Sequence, residues 1–308
     1  MTHAPVLLPE ALTGLRIQAD GCYVDCTFGR GGHARAILSA LGPAGRLIGF
    51  DRDPEAVVEG EALRQSDARF SILHRPFSEF QAGLASLGIH AVDGVLMDLG
   101  VSSPQLDTPS RGFSFQSDGP LDMRMDPTRD QSAADWLSVA DEEEIARVLW
   151  VFGEERHARR IARAICLARV ETPLQTTHAL VDVVRAAQPR LDPGKHPATR
   201  SFQAIRMHIN RELGEIEDAL GAIVNGLNPQ GRLVVISFHS LEDRLVKRFF
   251  RDASRPPAGD PRMPLPDSVA APKLHVVGKA IKATPGEVAT NPRARSAVMR
   301  IVERREAA

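Results

Sequence analysis

The sequence predicts an α/β fold, in which a mostly parallel, doubly wound sheet carries an inserted all-helical domain. Short apolar runs typical of buried strands alternate with helical patterns between Cys22 and Asp98. Helical patterns alone then follow one another until a strand pattern returns at Arg232. We therefore predict a sheet-bearing core formed by residues 1–107 and 213–308. The insertion, residues 108–212, is predicted to recognise a substrate.

The strands are predicted from apolar, β-branched runs bounded by Gly, Pro or Asp. They are Cys22–Phe28, Arg46–Asp51, Arg69–Leu73, Val92–Asp98, Arg232–Phe238, Leu274–Val277 and Ala297–Val302. Core helices are expected to begin near Gly32, at Pro54, near Ser78, at Leu213 and at Ser240, where Ser240–Asp243 resembles a capping box. The predicted helices of the insertion are Ala133–Leu137, Glu142–Phe152, Arg156–Arg169, Thr177–Ala187 and Thr199–Glu212.

Composition places the chain among ordinary globular proteins, with 43% hydrophobic and 25% charged residues and a net charge of −1. No apolar run is long enough to span a membrane, and the polar start Met1–His3 is not typical of a signal peptide. The three cysteines form neither a C-x-x-C pair nor a zinc spacing, so no metal site is predicted and a reducing cytoplasm is expected.

Charge is separated into blocks along the chain. Residues 108–144 hold three arginines against nine acids, a balance of −6, whereas residues 145–211 hold twelve basic residues against five acids, or +7. Residues 273–308 hold eight basic residues against three acids, or +5. Such blocks form solvated helix faces in many proteins, but separated positive charge is also what a phosphate-binding surface needs.

A glycine-rich turn joins the first predicted strand to the first helix of the alternation. Gly29–Ala34 matches the G-x-G-x-x-A pattern of dinucleotide sites, and glycine lets a ligand lie against the backbone at a helix start. Asp51 ends the second strand, twenty residues after Gly31, where a carboxylate can bind both ribose hydroxyls. NAD and S-adenosyl-L-methionine would both use that carboxylate, so the turn by itself leaves two cofactors open.

Two further strand-end acids favour S-adenosyl-L-methionine. Asp25 lies four residues before Gly29, where it would attract a cationic amino-acid group and repel a diphosphate. Asp98 ends the fourth strand and opens a loop towards the substrate side. The alternative to cofactor binding is a structural role for each acid. Asp25 would only cap the glycine turn, and Asp51 would cap the helix that begins at Pro54.

The chain resembles the MraW family of bacterial small-subunit ribosomal RNA methyltransferases nearly from end to end. The matching motifs are His3–Leu8, Asp25–His33, Asp51–Pro54, Asp98–Asp107, Arg111–Phe115, Gly119–Met125, Gly153–Arg156, His196–Arg200, Ser237–Arg244 and Asn291–Ser296. The resemblance implies a cytoplasmic, Rossmann-like class I methyltransferase that uses S-adenosyl-L-methionine. Its implied substrate is N4 of a decoding-centre (P-site) cytidine in 16S ribosomal RNA of the small subunit. The implied cofactor contacts are Gly31, Gly32, His33, Asp51, Phe77, Asp98 and Gln105.

Methylation of cytidine N4 requires in-line placement, a proton acceptor and exclusion of water, because the N4 lone pair is delocalised into the ring. Asp98 is the candidate acceptor, with a role in holding the cofactor as the alternative. The segment Asp98–Pro104 contains no aromatic residue. Phe113 or Phe115 is therefore the candidate for stacking on the target base, and the alternative is that both pack the insertion.

Basic residues of the insertion are the candidates for phosphate contacts. Arg156 and Arg160 recur with Arg159 and Arg163 at helical spacing. Arg200, Arg206 and Lys195 recur in the same way around the next basic helix. Ion pairs with neighbouring acids are the alternative. His239 is a candidate substrate contact whose alternative is a local hydrogen bond.

Two other functional classes stay open on the residues alone. An NAD-dependent oxidoreductase would fit the G-x-G-x-x-A pattern, and a non-catalytic ribosome-binding factor would fit the basic blocks. A membrane partner is not expected, and the pattern leaves a monomer and a homodimer equally open.

Overall fold

A computed structural model describes residues 5–129, 131–188, 196–255 and 272–306. Its contacts divide the chain into a larger unit, residues 1–100 with 213–308, and a smaller unit, residues 101–212. The first boundary lies at Gly100–Val101 and not at residues 107–108 as predicted. The difference arises because Ser103–Asp107 forms a short helix that packs on the turn Pro109–Arg111.

The larger unit contains one eight-stranded sheet with the order β3-β2-β1-β4-β5-β8-β6, and β7 pairs with β8. Strands β1 to β5 run parallel, whereas β8 is antiparallel to β5, β6 and β7. The strands are β1 Cys22–Asp25, β2 Arg46–Asp51, β3 Phe70–His74, β4 Val92–Asp98, β5 Leu227–Ser237, β6 Leu274–Val276, β7 Ile281–Lys282 and β8 Val298–Arg304. The predicted α/β fold with a mostly parallel, Rossmann-like sheet is confirmed.

Helices cover both faces of this sheet. They are α1 Leu8–Leu15, α2 Gly32–Ala40, α3 Pro54–Ser66, α4 Phe80–Ser86, α11 Glu212–Gly226, α12 Ser240–Ala253 and α13 Pro285–Thr290. Successive residues of one strand enter two different hydrophobic clusters, as Tyr23 and Val24 of β1 show. The two-residue period of a strand places them on opposite faces, and burial on both faces explains the continuous apolar runs in the sequence.

The smaller unit is helical and has its own core. Its helices are α5 Ser103–Asp107, α6 Ala133–Val139, α7 Glu142–Gly153, α8 Ala158–Glu171, α9 Thr177–Ala187 and α10 Thr199–Ile209. Trp136, Val148, Ile161, Leu180 and Phe202 belong to one buried cluster within this unit. In the described parts of the chain, no helix is long and apolar enough to cross a membrane.

Asn210 fixes an irregular segment of the smaller unit. Its Oδ1 accepts a hydrogen bond from the Met125 N–H at 2.7 Å, and its Nδ2 donates to the Met123 carbonyl at 2.7 Å. Met123 has φ of 63°, a left-handed conformation that is costly for a side chain of this kind. The segment therefore depends on these hydrogen bonds.

The variant Asn210→Ala is expected to lower the free energy of unfolding by about 2–4 kcal/mol, because two buried backbone groups lose their partners. Chemical denaturation followed by circular dichroism measures the change. Asn225→Ala, at an exposed position on α11, is the matched control and should stay within about 0.5 kcal/mol of the parent. Equal losses in the two variants would contradict a special role for Asn210.

Candidate cofactor and active site

The glycine turn between β1 and α2 has the backbone conformation that only glycine adopts without strain. Gly29 and Gly31 have φ of 55° and 70°, and the Gly31 N–H donates to the Phe28 carbonyl at 2.8 Å. A Cβ on Gly32 would lie 2.4 Å from Cγ of Pro5. The turn thus brings the backbone N–H groups at the start of α2 close to the ends of the strands.

Asp51 holds this turn against the end of β2. Its Oδ2 accepts a hydrogen bond from the Gly29 N–H at 2.7 Å, and its Oδ1 accepts one from the Asp53 N–H at 2.9 Å. Asp53 caps α3, because its side chain accepts from the Glu55 N–H. The alternative in which Asp51 itself caps α3 is therefore wrong. Burial raises the pKa of Asp51 to about 6.

Asp25 is 1% exposed at the end of β1. Its Oδ1 accepts a hydrogen bond from the Thr27 N–H at 3.1 Å, so one oxygen does cap the turn. No donor among the described residues reaches its Oδ2. Burial raises the pKa of Asp25 to about 7. A buried carboxylate oxygen without a donor is costly, and a ligand that carries N–H groups would satisfy it.

Asp98 lies at the end of β4, the strand next to β1. No described donor reaches its Oδ1, and its Oδ2 lies 3.7 Å from Nδ1 of His33. Burial, together with the nearby carboxylates of Asp25 and Glu242, raises the pKa of Asp98 well above its usual range. Three acids therefore end three adjacent strands, and two of them have an oxygen without a donor.

Thr27 connects two of these acids, although it was not among the residues predicted at the site. Its Oγ1 accepts a hydrogen bond from the Asp98 N–H at 2.7 Å and lies 3.5 Å from Oδ1 of Asp25. The hydroxyl thus joins the ends of β1 and β4. The i, i+2 spacing of Asp25 and Thr27 is common in local side-chain turns, and this spacing could have indicated the role of Thr27 from the sequence.

His33 is 6% exposed and neutral at physiological pH. Its Nε2 lies 3.1 Å from the Val6 carbonyl, and burial lowers its pKa to about 4. A carbonyl can only accept, so the contact places the proton on Nε2 and leaves a lone pair on Nδ1. The segment Pro5–Leu7 thereby covers both His33 and Gly32, a function of the His3–Leu8 motif that the sequence did not reveal.

The two other residues expected at the cofactor lie in different parts of the chain. Phe77 begins the turn that follows β3 and packs, half-buried, against the hydrophobic cluster that contains Phe50 and Phe80. Gln105 belongs to the smaller unit, where it is 5% exposed and its Oε1 accepts from the Ser102 N–H at the start of α5. Their contacts with a cofactor stay predictions.

The expectation that Phe113 stacks on a target base is wrong in this structure, because the residue is 5% exposed. The Arg111 guanidinium carbon lies 5.8 Å from the centre of its ring. Phe115 is half-buried and stacks on His196 with ring centres 4.3 Å apart. The edge of Phe202 meets the same ring at 5.0 Å. Both phenylalanines therefore pack the smaller unit.

Four exposed arginines lie on or just before α8, and none pairs with an acid in the described ranges. They are Arg156, Arg159, Arg160 and Arg163. Arg206, also a candidate phosphate contact, instead has the ion pair that was the alternative, a bidentate pair with Glu212 at 2.7 and 2.8 Å. Arg200 is half-buried on α10, and Lys195 lies outside the described residues. The four exposed arginines, which we call the α8 arginine face, form a basic surface that is available to phosphates.

His239 is the N-cap of α12. It makes a local hydrogen bond, which was the alternative to a contact with the substrate. Its Nδ1 accepts from the Glu242 N–H at 3.4 Å, while Oε2 of Glu242 accepts from the Phe238 N–H at 2.8 Å. The capping box therefore begins at His239, one residue before the predicted Ser240.

A model of the MraW methylase family matches residues 1–305. The chain belongs to the MraW methylase family. Proteins named ribosomal RNA small subunit methyltransferase H from Chromobacterium violaceum and Azoarcus sp. are each 54% identical to this MraW-family chain. The alignments cover 98% and 99% of it, and 95% and 97% of those proteins. The superposition on a solved rRNA methylase from Streptococcus thermophilus covers 99% of this chain and 99% of that protein, with 9% identity and a TM-score of 0.44. The predicted family is confirmed.

Proposed function

We propose that this chain transfers the methyl group of S-adenosyl-L-methionine to N4 of a decoding-centre (P-site) cytidine in 16S ribosomal RNA of the small subunit, in the cytoplasm. Membership of a methylase family, with relatives named small-subunit rRNA methyltransferases, supports the reaction class. The observation that carries the cofactor and its orientation is the pair of buried oxygens without donors, Asp25 Oδ2 and Asp98 Oδ1, beside the glycine turn.

The residues at the three strand ends fit this cofactor. Asp25 would bind the ammonium of the methionine part, and Asp51 would accept from the ribose hydroxyls. The Gly32 N–H at the start of α2 would face the ligand, whereas the Gly31 N–H donates to the Phe28 carbonyl. When bound, the cofactor supplies an electrophilic methyl group on a cationic sulfur. A dinucleotide fits less well, because its diphosphate would lie near the buried carboxyl of Asp25.

Binding of S-adenosyl-L-methionine is expected to tighten as pH rises from about 5.5 to 8. Asp25 and Asp51 lose their protons with pKa values of about 7 and 6, and the ligand binds their ionised forms. Below these values protons compete with the ligand, so affinity should fall by up to about tenfold per pH unit between the two pKa values and more steeply, up to about hundredfold per unit, below that of Asp51. Calorimetry in two buffers of different ionisation enthalpy measures the affinity and the protons released. An affinity that is constant over this range would contradict the assignment.

On the substrate side, Asp98 is the candidate acceptor for a proton of cytidine N4. Its Oδ1 lacks a donor, and burial strengthens any hydrogen bond that it accepts. The alternative is that this oxygen completes the binding of the cofactor. The smaller unit would recognise RNA through the α8 arginine face, because four exposed guanidinium groups without acid partners attract phosphates.

Transfer of labelled methyl from S-adenosyl-L-methionine to small ribosomal subunits from cells lacking the gene tests the proposal. Mass spectrometry of the rRNA should locate the label on N4 of one decoding-centre cytidine, and the same nucleotide should lose one methyl group in those cells. Label on another atom would contradict the proposed target. RNA binding without transfer by protein that binds the cofactor would favour a non-catalytic factor, and tight binding of NAD alone would favour the oxidoreductase.

A further inference from the structure

The ring nitrogen of His33 that faces Asp98 carries a lone pair and no proton, so it can accept a hydrogen bond but cannot donate one. The Nε2 proton is committed to the Val6 carbonyl at 3.1 Å, so the atom that lies 3.7 Å from Asp98 Oδ2 is the bare Nδ1. An ionised carboxylate would repel that lone pair, whereas a protonated one would donate to it. The distance exceeds the longest ordinary hydrogen bond, about 3.2 Å, by about half an ångström. A rotation of either side chain would close this gap, as catalytic contacts often tighten when ligands bind.

We propose that His33 is a positioning residue that acts through Asp98: its Nδ1 takes the Oδ2 proton of Asp98 while Oδ1 of Asp98 accepts a proton from the target amine. This inference rests on the proposed methyl transfer to N4. It makes His33 and Asp98 a relay with two coupled proton transfers, and it gives the buried histidine a part in the reaction besides its place beside the glycine turn.

The relay balances without any further reagent. After the methyl group has moved to N4, the amine carries one positive charge, and one N4–H bond breaks as an O–H bond forms at Oδ1. At the same time the O–H bond at Oδ2 breaks and an N–H bond forms at Nδ1 of His33. Asp98 ends as it began, with one proton, and the positive charge rests on the imidazolium until the proton leaves to solvent.

The surroundings of the pair favour a protonated Asp98 in the resting state. Asp25 on β1 and Glu242 on α12 are the charged groups that bear on it, and both are acids that raise the pKa of Asp98. On the other side, burial lowers the pKa of His33 to about 4, although the hydrogen bond to the Val6 carbonyl acts in the opposite direction. A neutral pair avoids placing an isolated charge at a buried position.

The arrangement of protons can be measured in the cofactor-free protein by nitrogen NMR of labelled histidine, independently of catalysis. The chain has ten histidines, and the resonances lost in His33→Gln identify His33. At pH 6 we expect a neutral ring with its proton on Nε2 and an Nδ1 resonance typical of a hydrogen-bond acceptor. Asp98→Ala should move that resonance to the position of an acceptor without a donor, whereas Asp98→Asn, which retains an N–H group, should not. A proton on Nδ1, or identical Nδ1 resonances in the parent and Asp98→Ala, would overturn the pairing.

The pH profile of single-turnover methyl transfer at saturating cofactor and small subunits tests the relay itself. The parent rate should stay constant between about pH 6 and 8, because His33 is a neutral base throughout. In His33→Asn the amide oxygen can hold Asp98 but cannot take a proton, so transfer must wait until Asp98 has ionised. We expect a loss of about ten- to hundredfold at pH 6 that recovers as pH rises.

A merely structural role for His33 predicts a different profile, in which the rate of His33→Asn falls by the same factor at every pH; that outcome would overturn the relay. His33→Gln, which can reach the Val6 carbonyl but supplies no base, should show the same recovery with pH. If the parent protein itself transfers no methyl group, the proposed function fails, and the NMR experiment still decides whether the pair exists.

Discussion

The variant Asp98→Asn is expected to slow methyl transfer by about 10²- to 10⁴-fold and to leave S-adenosyl-L-methionine affinity within about 0.5 kcal/mol of the parent. The amide has nearly the shape of the carboxyl group, but it cannot take up a proton from N4. Its Oδ1 can still face the site, and the Thr27 hydroxyl still accepts from the backbone N–H at residue 98. Single-turnover transfer and calorimetry on the same protein separate the two quantities.

Asp25→Asn is the matched comparison, since the carboxyl group of Asp25, like that of Asp98, has a buried oxygen without a donor. This variant should weaken cofactor binding by about ten- to hundredfold, because a charged hydrogen bond is replaced by a neutral one. Its transfer rate at saturating cofactor should change little. If Asp98→Asn instead weakened cofactor binding as much as Asp25→Asn and kept its turnover, Asp98 would be a cofactor-holding residue and the alternative role would be correct.

The double variant Arg156→Ala/Arg160→Ala is expected to weaken binding to the small subunit and to raise the apparent KM for it, with the rate at saturating substrate preserved. Both guanidinium groups are exposed and lack acid partners in the described ranges, so their loss costs no internal ion pair. If each contacts one phosphate, the slope of log affinity against log salt concentration should fall by about 1.5.

A control with the same change of charge is available in the larger unit. Arg64 and Arg251 are also exposed helical arginines, but they pair with Glu61 and Asp252 at 2.7 and 2.8 Å. The double variant Arg64→Ala/Arg251→Ala should leave the salt slope nearly unchanged. Equal slopes for both double variants would mean that the α8 arginine face contributes only general positive charge and contacts no phosphate.

The sequence predicted the sheet well because local physics governs its strands. The bounds of β2 and β4, Arg46–Asp51 and Val92–Asp98, agree with the prediction to the residue. Each contains a run of four buried residues that ends at an acid, as expected for strands buried on both faces. Strand β5 begins at Leu227, before the predicted Arg232, and its register with β4 is irregular near Val92. Turn-like residues in Asn228–Gly231 concealed this extension, since pairing with a neighbouring strand overrode local propensity.

The sequence by itself determined the family, the glycine turn and the three strand-end acids, because each depends on the order of residues along short segments. Only the tertiary structure decided which polar groups remain without partners. It placed Phe113 in the interior, committed Glu212 to Arg206, and left the α8 arginine face exposed. It also directed the bare Nδ1 of His33 at Asp98 through a carbonyl of the segment Pro5–Leu7. Hydrogen bonds and burial join residues that are distant in the chain, so these outcomes follow from the packing of the whole fold and have no signal in any one motif.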